Sequence, residues 1–292
     1  MLKNHKNQSA RMVLACLLAG LLAACGGGSS TGSPTSSLST TSKTGYFIDS
    51  PVEGLHYQSG SLSGLTDSQG AFQYLEGQPV TFSIGNLVLG SLTVTNSRVF
   101  PVDLVNGATD ETHPKVSLMA QILQTLDSDG NAANGITLTE TTRQALNQVI
   151  SLTTSDPAQA SAALTQLMAT ATQGRATALR SASTAQSHLQ ANLIQEYAGT
   201  WTGSFNGGDQ GNCQVAISNT GAVTGTCTSD ALSGNTFSLS GTVSSSGESS
   251  ATSGGASTGA TFTGTYLRGG QVTGQWRNSV YNIGGSWTLH KS

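Results

Sequence analysis

The stretch Cys213-Gln214-Val215-Ala216-Ile217-Ser218-Asn219-Thr220-Gly221-Ala222-Val223-Thr224-Gly225-Thr226-Cys227 decides the fold. Apolar and polar residues alternate on both sides of an Asn-Thr-Gly centre, which is the pattern of two half-buried strands joined by a tight turn. With residues 219–221 as a three-residue hairpin loop, 217 faces 223, 215 faces 225 and 213 faces 227. The two cysteines then meet on the inward side. Export through an oxidising compartment would join Cys213 and Cys227 as a disulfide. A reactive or metal-binding pair is the alternative, and no His or Lys stands near it in the sequence.

Working outward, the unit apolar-x-Gly-x-apolar recurs. It is seen at Trp201-x-Gly203-x-Phe205, Val223-x-Gly225-x-Cys227, Leu239-x-Gly241-x-Val243, Phe262-x-Gly264-x-Tyr266, Val272-x-Gly274-x-Trp276 and Ile283-x-Gly285-x-Trp287. Residues two apart in a strand point the same way, so each glycine shares the core face with the bulky residues. Glycine there permits strong coiling and close approach, which a sheet needs to close over large aromatics. With Cys213-x-Val215-x-Ile217 and a weak strand over 248–253, about eight short strands fill residues 199–292. The expectation is an antiparallel meander closed as a small barrel, or rolled into a sandwich.

All three tryptophans, Trp201, Trp276 and Trp287, lie in this part, each as Gly-x-Trp. Gly199-Thr200-Trp201 at the opening strand is similar to the lipocalin start, although the domain is shorter and shows no second lipocalin motif. That resemblance implies a ligand-holding barrel with these tryptophans as candidate ligand contacts. Eight strands leave room either for a filled core or for one small ligand, and three indoles favour the filled one.

Before the barrel, residues 114–198 carry helical spacing. The stretch 114–127 puts Val116, Met119, Ile122, Leu123 and Leu126 on one face. Thr137 with Glu140 reads as a capping box for a helix over 138–152. Asp156-Pro157 reads as a helix start running to about residue 172. A fourth helical stretch is expected over 175–198, with Leu179, Ala182, Leu189, Leu193 and Tyr197 inward. Between the first two, Asp127, Asp129 and Asn131 alternate oxygen ligands like the start of a calcium loop. Position six is then Ala132 and position twelve Leu138, where an EF-hand has Gly and Glu, and an Asx-rich helix stop is the competing reading. The segment 123–136 resembles one that recurs in bacterial lipoproteins.

Residues 45–113 alternate with period two between Gly-bearing turns, as at Phe72-Gln73-Tyr74 and Val80-Thr81-Phe82-Ser83-Ile84. In Thr66-Asp67-Ser68-Gln69-Gly70-Ala71-Phe72, Asp67 can accept N–H bonds two residues on while Gly70 takes a positive φ, returning Phe72 to the core. This run, with Asp49-Ser50-Pro51-Val52-Glu53-Gly54 before it, resembles transthyretin-like or carboxypeptidase-regulatory-like β-sandwiches. The resemblance implies a spacer or adhesive module. Asp49, Asp67 and Glu76 can be read as a carboxylate site, and turn-forming or solvated acids are the favoured reading.

The N-terminus reads as an address. Basic residues precede the 13-residue apolar run 12–24, which is too short to span a bilayer and suits a secretory signal. Leu21-Leu22-Ala23-Ala24-Cys25 resembles the lipobox of bacterial lipoproteins. That implies a signal peptide over 1–24, diacylglycerol and palmitate-type acylation at Cys25, and, from Gly26, delivery to the outer membrane, facing periplasm or surface. An ordinary cleaved signal with an incidental cysteine is the alternative. Cleavage would leave 268 residues with nine basic and fifteen acidic side chains, a net charge of −6. Acyl chains, not charge, would then hold the protein to the membrane. Residues 25–44 form a Gly/Ser/Thr tether with a reach of roughly 24 Å.

Charged residues make up 9% of the 292-residue chain against about 25% in an ordinary domain, with no basic cluster beyond the leader, so nucleic acid is not an expected partner. Of the histidines, only His56, His113, His188 and His290 follow the leader, dispersed, and no H-E-x-x-H or C-x-x-C occurs. Gly255-Ala256-Ser257-Thr258-Gly259 spells G-x-S-x-G in a Ser/Gly-rich loop with no helix after it, which makes a Ser257 hydrolase the weakest reading. The expected fold is mainly β, with an N-terminal β-sandwich, central helices and a C-terminal barrel over 199–292. The expected role is non-catalytic: binding, scaffolding or adhesion towards an envelope protein, surface protein or glycan. A lipocalin-like carrier of a hydrophobic molecule is the alternative.

Overall fold

The structure, a computed structural model, describes residues 41–147, 157–230, 235–253 and 259–292. Cys25, the leader, most of the tether, Asp156 and Ser257 lie outside those residues. The fold is mainly β, with N-terminal sheets, central helices and a closed eight-stranded antiparallel barrel.

The N-terminal strands are β1 (Ser42–Phe47), β2 (Val52–Glu53), β3 (His56–Ser59), β4 (Leu62–Leu65), β5 (Ala71–Leu75), β6 (Pro79–Ile84), β7 (Leu87–Thr93) and β8 (Arg98–Val99). They form a three-stranded sheet β5-β1-β8 and a four-stranded sheet β4-β3-β6-β7. The turn before β5 forms as its residues dictate. Asp67 Oδ1 accepts from the N–H groups of Gln69 at 2.8 Å and Ala71 at 2.9 Å, and Gly70 has φ +75°. Phe72 is thereby delivered to the core, edge-on to Phe82 with ring centroids 4.9 Å apart.

Helix α1 (Pro114–Leu126) buries the five apolar residues that its spacing selects and packs against both sheets. Strand β9 (Ile136–Thr137) then pairs in parallel with β2. Helix α2 (Glu140–Asn147) starts later than the capping-box reading places it. Thr139 caps it, its Oγ1 accepting from Thr142 N at 3.2 Å, while Thr137 is taken up by β9 and by its N–H bond to Asp127 Oδ1. Helix α3 (Pro157–Ala171) begins at its proline. Helix α4 (Ala182–Gln195) is shorter than expected. Ser181 caps it, and Ala185 rather than Ala182 faces inward beside Leu189 and Leu193. Helices α1 to α3 share one apolar core with the sheets, and α4 packs with α1, Ile48 and Phe100 in a second.

The barrel consists of β10 (Gly199–Gly207), β11 (Gly211–Ile217), β12 (Ala222–Ser229), β13 (Thr236–Val243), β14 (Glu248–Ser253), β15 (Thr261–Leu267), β16 (Gln271–Asn278) and β17 (Ile283–Lys291). Each strand pairs with the next, and β17 returns to pair with β10. The β11–β12 register is the one the hairpin loop requires, with Ile217 opposite Val223, Val215 opposite Gly225 and Cys213 opposite Cys227. The two cysteines are joined as a disulfide. Outward positions such as Asn212, Gln214, Thr224 and Thr226 are polar and exposed, while the inward ones are apolar. This is the reverse of the lipid-facing apolar band of a membrane-spanning barrel.

One end of the barrel is seated on the rest of the fold. Tyr197, just past α4, enters the barrel core and accepts the Trp201 Nε1–H at 2.9 Å on its carbonyl. The Arg268 guanidinium forms a two-bonded ion pair with Asp103, one bond at 2.9 Å, and lies 5.0 Å from the Phe100 ring centre. Arg98 reaches Glu196 at 2.6 Å, and Lys291 donates to the Glu196 carbonyl at 2.8 Å. The opposite end, where the β10–β11 and β16–β17 connections lie, is the barrel mouth.

Candidate functional site

The three tryptophans do not converge on one cavity; they sit at different levels of the barrel, each with its N–H satisfied by backbone. Trp201 closes the seated end, edge-on to Tyr266 with centroids 4.8 Å apart. Trp287 occupies the middle, donating to the carbonyls of Thr263 at 3.1 Å and Gln275 at 3.2 Å. It can lie there because Gly264 and Gly274, paired across β15 and β16, present no side chain beneath it. Trp276 is near the mouth and donates to the Asn206 carbonyl at 2.9 Å.

The interior is filled. A cavity of about 20 Å³ lies within it, bordered by Val215, Leu239, Phe262, Trp287 and Leu289 among others. That is room for roughly one water molecule, and the apolar surroundings offer a water few partners.

The mouth is different. A cavity of about 280 Å³ opens there, floored by Phe205, Phe237, Phe262 and Trp276 and edged by Tyr281, Ile283, Asp209, Asn235 and Asn278. The Phe262 and Trp276 rings are near parallel, 22° apart, and Phe237 lies 30° from Phe262. Phe205 stands edge-on to Phe262 and Trp276, at 87° to each. Such edge-to-face contacts fix ring positions.

Polar groups at the rim are held by the turns. Asp209 Oδ1 accepts from Gln210 N at 2.7 Å and from Ser229 Oγ at 2.9 Å. Asn278 Oδ1 accepts from the N–H groups of Val280 at 3.0 Å and Tyr281 at 3.2 Å, so an Asx turn holds the β16–β17 tip. That tip leaves Val280 56% and Tyr281 69% exposed beside the cavity. An aromatic floor, a polar rim and an exposed tyrosine form the kind of composition that concentrates binding energy at interfaces.

The loop of Asp127, Asp129 and Asn131 folds as a helix stop. Asp129 accepts from Asn131 N at 2.8 Å and Asn134 Nδ2 at 2.9 Å, and Asp127 Oδ1 accepts from Thr137 N at 2.9 Å. Only Asp127 Oδ2 among these four carboxylate oxygens lacks an N–H or O–H donor, and burial raises that carboxyl above the usual range. Arg175 donates to the carbonyls of Thr125 and Asp127, bringing its own positive charge to the loop. Calcium takes about six to eight oxygens, so a cation would have to displace most of these bonds. Among the described residues no group of three or more His, Cys, Asp or Glu stands in metal-holding array.

A second polar cluster was not legible in the sequence. Asp49, read there as a turn or surface acid, is fully buried between β1 and the helices. Its Oδ2 accepts from Gln124 Nε2 at 3.0 Å, and its Oδ1 has no hydrogen-bond donor, with His188 Nε2 3.9 Å away. Burial pushes the Asp49 carboxyl up to about 7, against the lowering effects of Gln124 and Arg180. Burial also holds His188 below the usual imidazole range. Burial thus favours the uncharged form of both groups, and the contact is not an ion pair. Ser50, at φ +57°, places its hydroxyl 3.1 Å from the same imidazole nitrogen. Asp67 stays at its turn and Glu76 on the surface beside Lys43, away from this cluster.

No known protein family matches the chain, and no curated protein matches it either.

Proposed function

We propose that the protein is a lipid-anchored, non-catalytic binding module of the bacterial cell envelope, held to the outer membrane through acylated Cys25 and recognising its partner at the barrel mouth. The anchor rests on the lipobox-like Leu21-Leu22-Ala23-Ala24-Cys25 and the low-charge tether that follows it. The observation that carries the binding site is the contrast within one barrel, a cavity of about 280 Å³ at the mouth above one of about 20 Å³ in the interior. A carrier that encloses a hydrophobic molecule needs the interior that Trp287, Phe262 and Leu289 occupy. A partner met at the rim needs only the exposed tip and the aromatic floor beneath it.

The test is capture from the native envelope using the acylated full-length chain, comparing wild type with Tyr281→Ala. A partner retained by wild type and lost by the variant supports recognition at the mouth. The same partner retained equally by both contradicts it.

A further inference from the structure

The geometry points to the barrel mouth as a site for an organic ammonium cation of the trimethylammonium type, an assignment that rests on the mouth being the binding site. Five aromatic residues, Phe205, Phe237, Phe262, Trp276 and Tyr281, border the cavity, and Asp209 is the one charged side chain among the described residues that line it. Arg277, at the end of β16, is exposed and donates to Asn282 Oδ1 at 3.1 Å, and it is not among the residues that line the cavity. Aromatic faces carry negative charge density, and an adjacent carboxylate adds to it, so the site attracts a cation and repels an anion.

The kind of cation follows from what the site lacks. A metal ion is held by several oxygens, carboxylates above all, and this lining offers one carboxylate beside neutral amides and hydroxyls, of which Ser229 Oγ already bonds to Asp209 and Asn278 Oδ1 to the Val280 and Tyr281 N–H groups. A neutral apolar molecule would fill the space but would strip water from Asp209 and return nothing to it. A methylated ammonium satisfies both parts of the lining, with methyl groups against the rings and positive charge towards the carboxylate. Gln210 N and Ser229 Oγ both bond to Oδ1 of Asp209, which leaves Oδ2 outside those bonds.

The test is calorimetric titration of the full-length chain with choline, with glycerophosphocholine, and with 3,3-dimethylbutan-1-ol, the uncharged isostere of choline. Choline is expected to bind with Kd below about 1 mM, and the isostere at least about tenfold more weakly. Asp209→Asn, which keeps an oxygen for Gln210 and Ser229, should remove that preference, and Tyr281→Ala on the exposed tip should weaken choline while circular dichroism stays unchanged. Tighter binding of glycerophosphocholine points to a lipid headgroup as the source, tighter binding of choline to a free solute, and either supports the assignment. Equal binding of choline and its isostere, an unaltered preference in Asp209→Asn, or no heat with choline up to about 50 mM overturns it. Should that happen while Tyr281→Ala still loses the envelope partner, the cation assignment fails and the mouth remains the binding site.

Discussion

The Trp287 indole lies across Gly274, so that a Cβ at position 274 would stand 2.5 Å from Trp287 Nε1. Gly264, its partner across the β15–β16 pair, is similarly covered, with Trp287 Cζ2 2.7 Å from where a Cβ would be. The glycine row is thus the complement of the large side chains, and closure depends on it. Gly274→Ala should cost about 1–3 kcal/mol through overpacking and displace the indole from its two carbonyls. Urea denaturation and near-ultraviolet circular dichroism read both effects. A variant with unaltered midpoint and tryptophan signal would show that the ring has other room.

The Cys213–Cys227 disulfide closes a loop with a sequence separation of 14 across directly opposed residues. In the chain-entropy account such a loop contributes about 3 kcal/mol. Replacing both cysteines with serine should therefore lower unfolding free energy by about 2–3 kcal/mol while leaving the barrel formed, since eight paired strands still close it. Equal stability of variant and oxidised wild type would contradict this.

Asp49 makes stability depend on pH. Its folded carboxyl titrates near 7, well above the unfolded value of 3.8, so its contribution is fully present below about pH 4 and is lost as pH rises through 7. His188 acts oppositely, because a depressed imidazole loses stability as pH falls below its ordinary value of 6.5. Asp49→Asn keeps an acceptor for Gln124 and removes the alkaline loss. The variant should exceed wild type by on the order of 3 kcal/mol at pH 8, and the gap should close only as pH falls to about 4. Parallel pH–stability curves for the two proteins would refute the buried titration.

Arg268 and Asp103 pin the barrel to the sheet side of the molecule, both side chains largely shielded at 18% and 20% exposed. Arg268→Ala would leave Asp103 with only the Phe100 N–H, at 2.8 Å, and would remove the guanidinium from the Phe100 ring. A loss of about 2–3 kcal/mol is expected. Arg268→Lys should rescue little, because an ammonium cannot make the paired bonds. In calorimetry the alanine variant should unfold in two steps, barrel and sheets separately. A single transition at the wild-type temperature would place the coupling elsewhere.

What could be read from the sequence was what depends on local period. The repeated glycine and the Asn219-Thr220-Gly221 turn set the β11–β12 register and the number of strands, and the structure has both. Even the weak strand at Glu248–Ser253 is present. The helix starts drifted where two residues compete for a role, as with Thr137, drawn into β9, and Thr139, which caps α2 in its place. The thin apolar stripe of α4 left Ala182 and Ala185 indistinguishable until their neighbours were in place. The helical position of His188 beside Leu189 marks it as an interfacial residue, but its cluster with Asp49 joins positions 139 apart in the chain, and no local pattern marks Asp49 for burial. The tryptophans were visible as a group, but their different levels in the barrel follow from strand stagger, which alternation does not carry. Only Trp276 belongs to the mouth cavity, beside Asp209 and Tyr281.

The account as a whole stands on a modified thiol at the membrane, and metabolic labelling with a clickable palmitate analogue tests it directly in cells expressing wild type or Cys25→Ala. Label on wild type in the membrane fraction, with an unlabelled and released variant, is the result the account predicts. A wild-type protein without label, or a Cys25→Ala protein that still carries it, would contradict it.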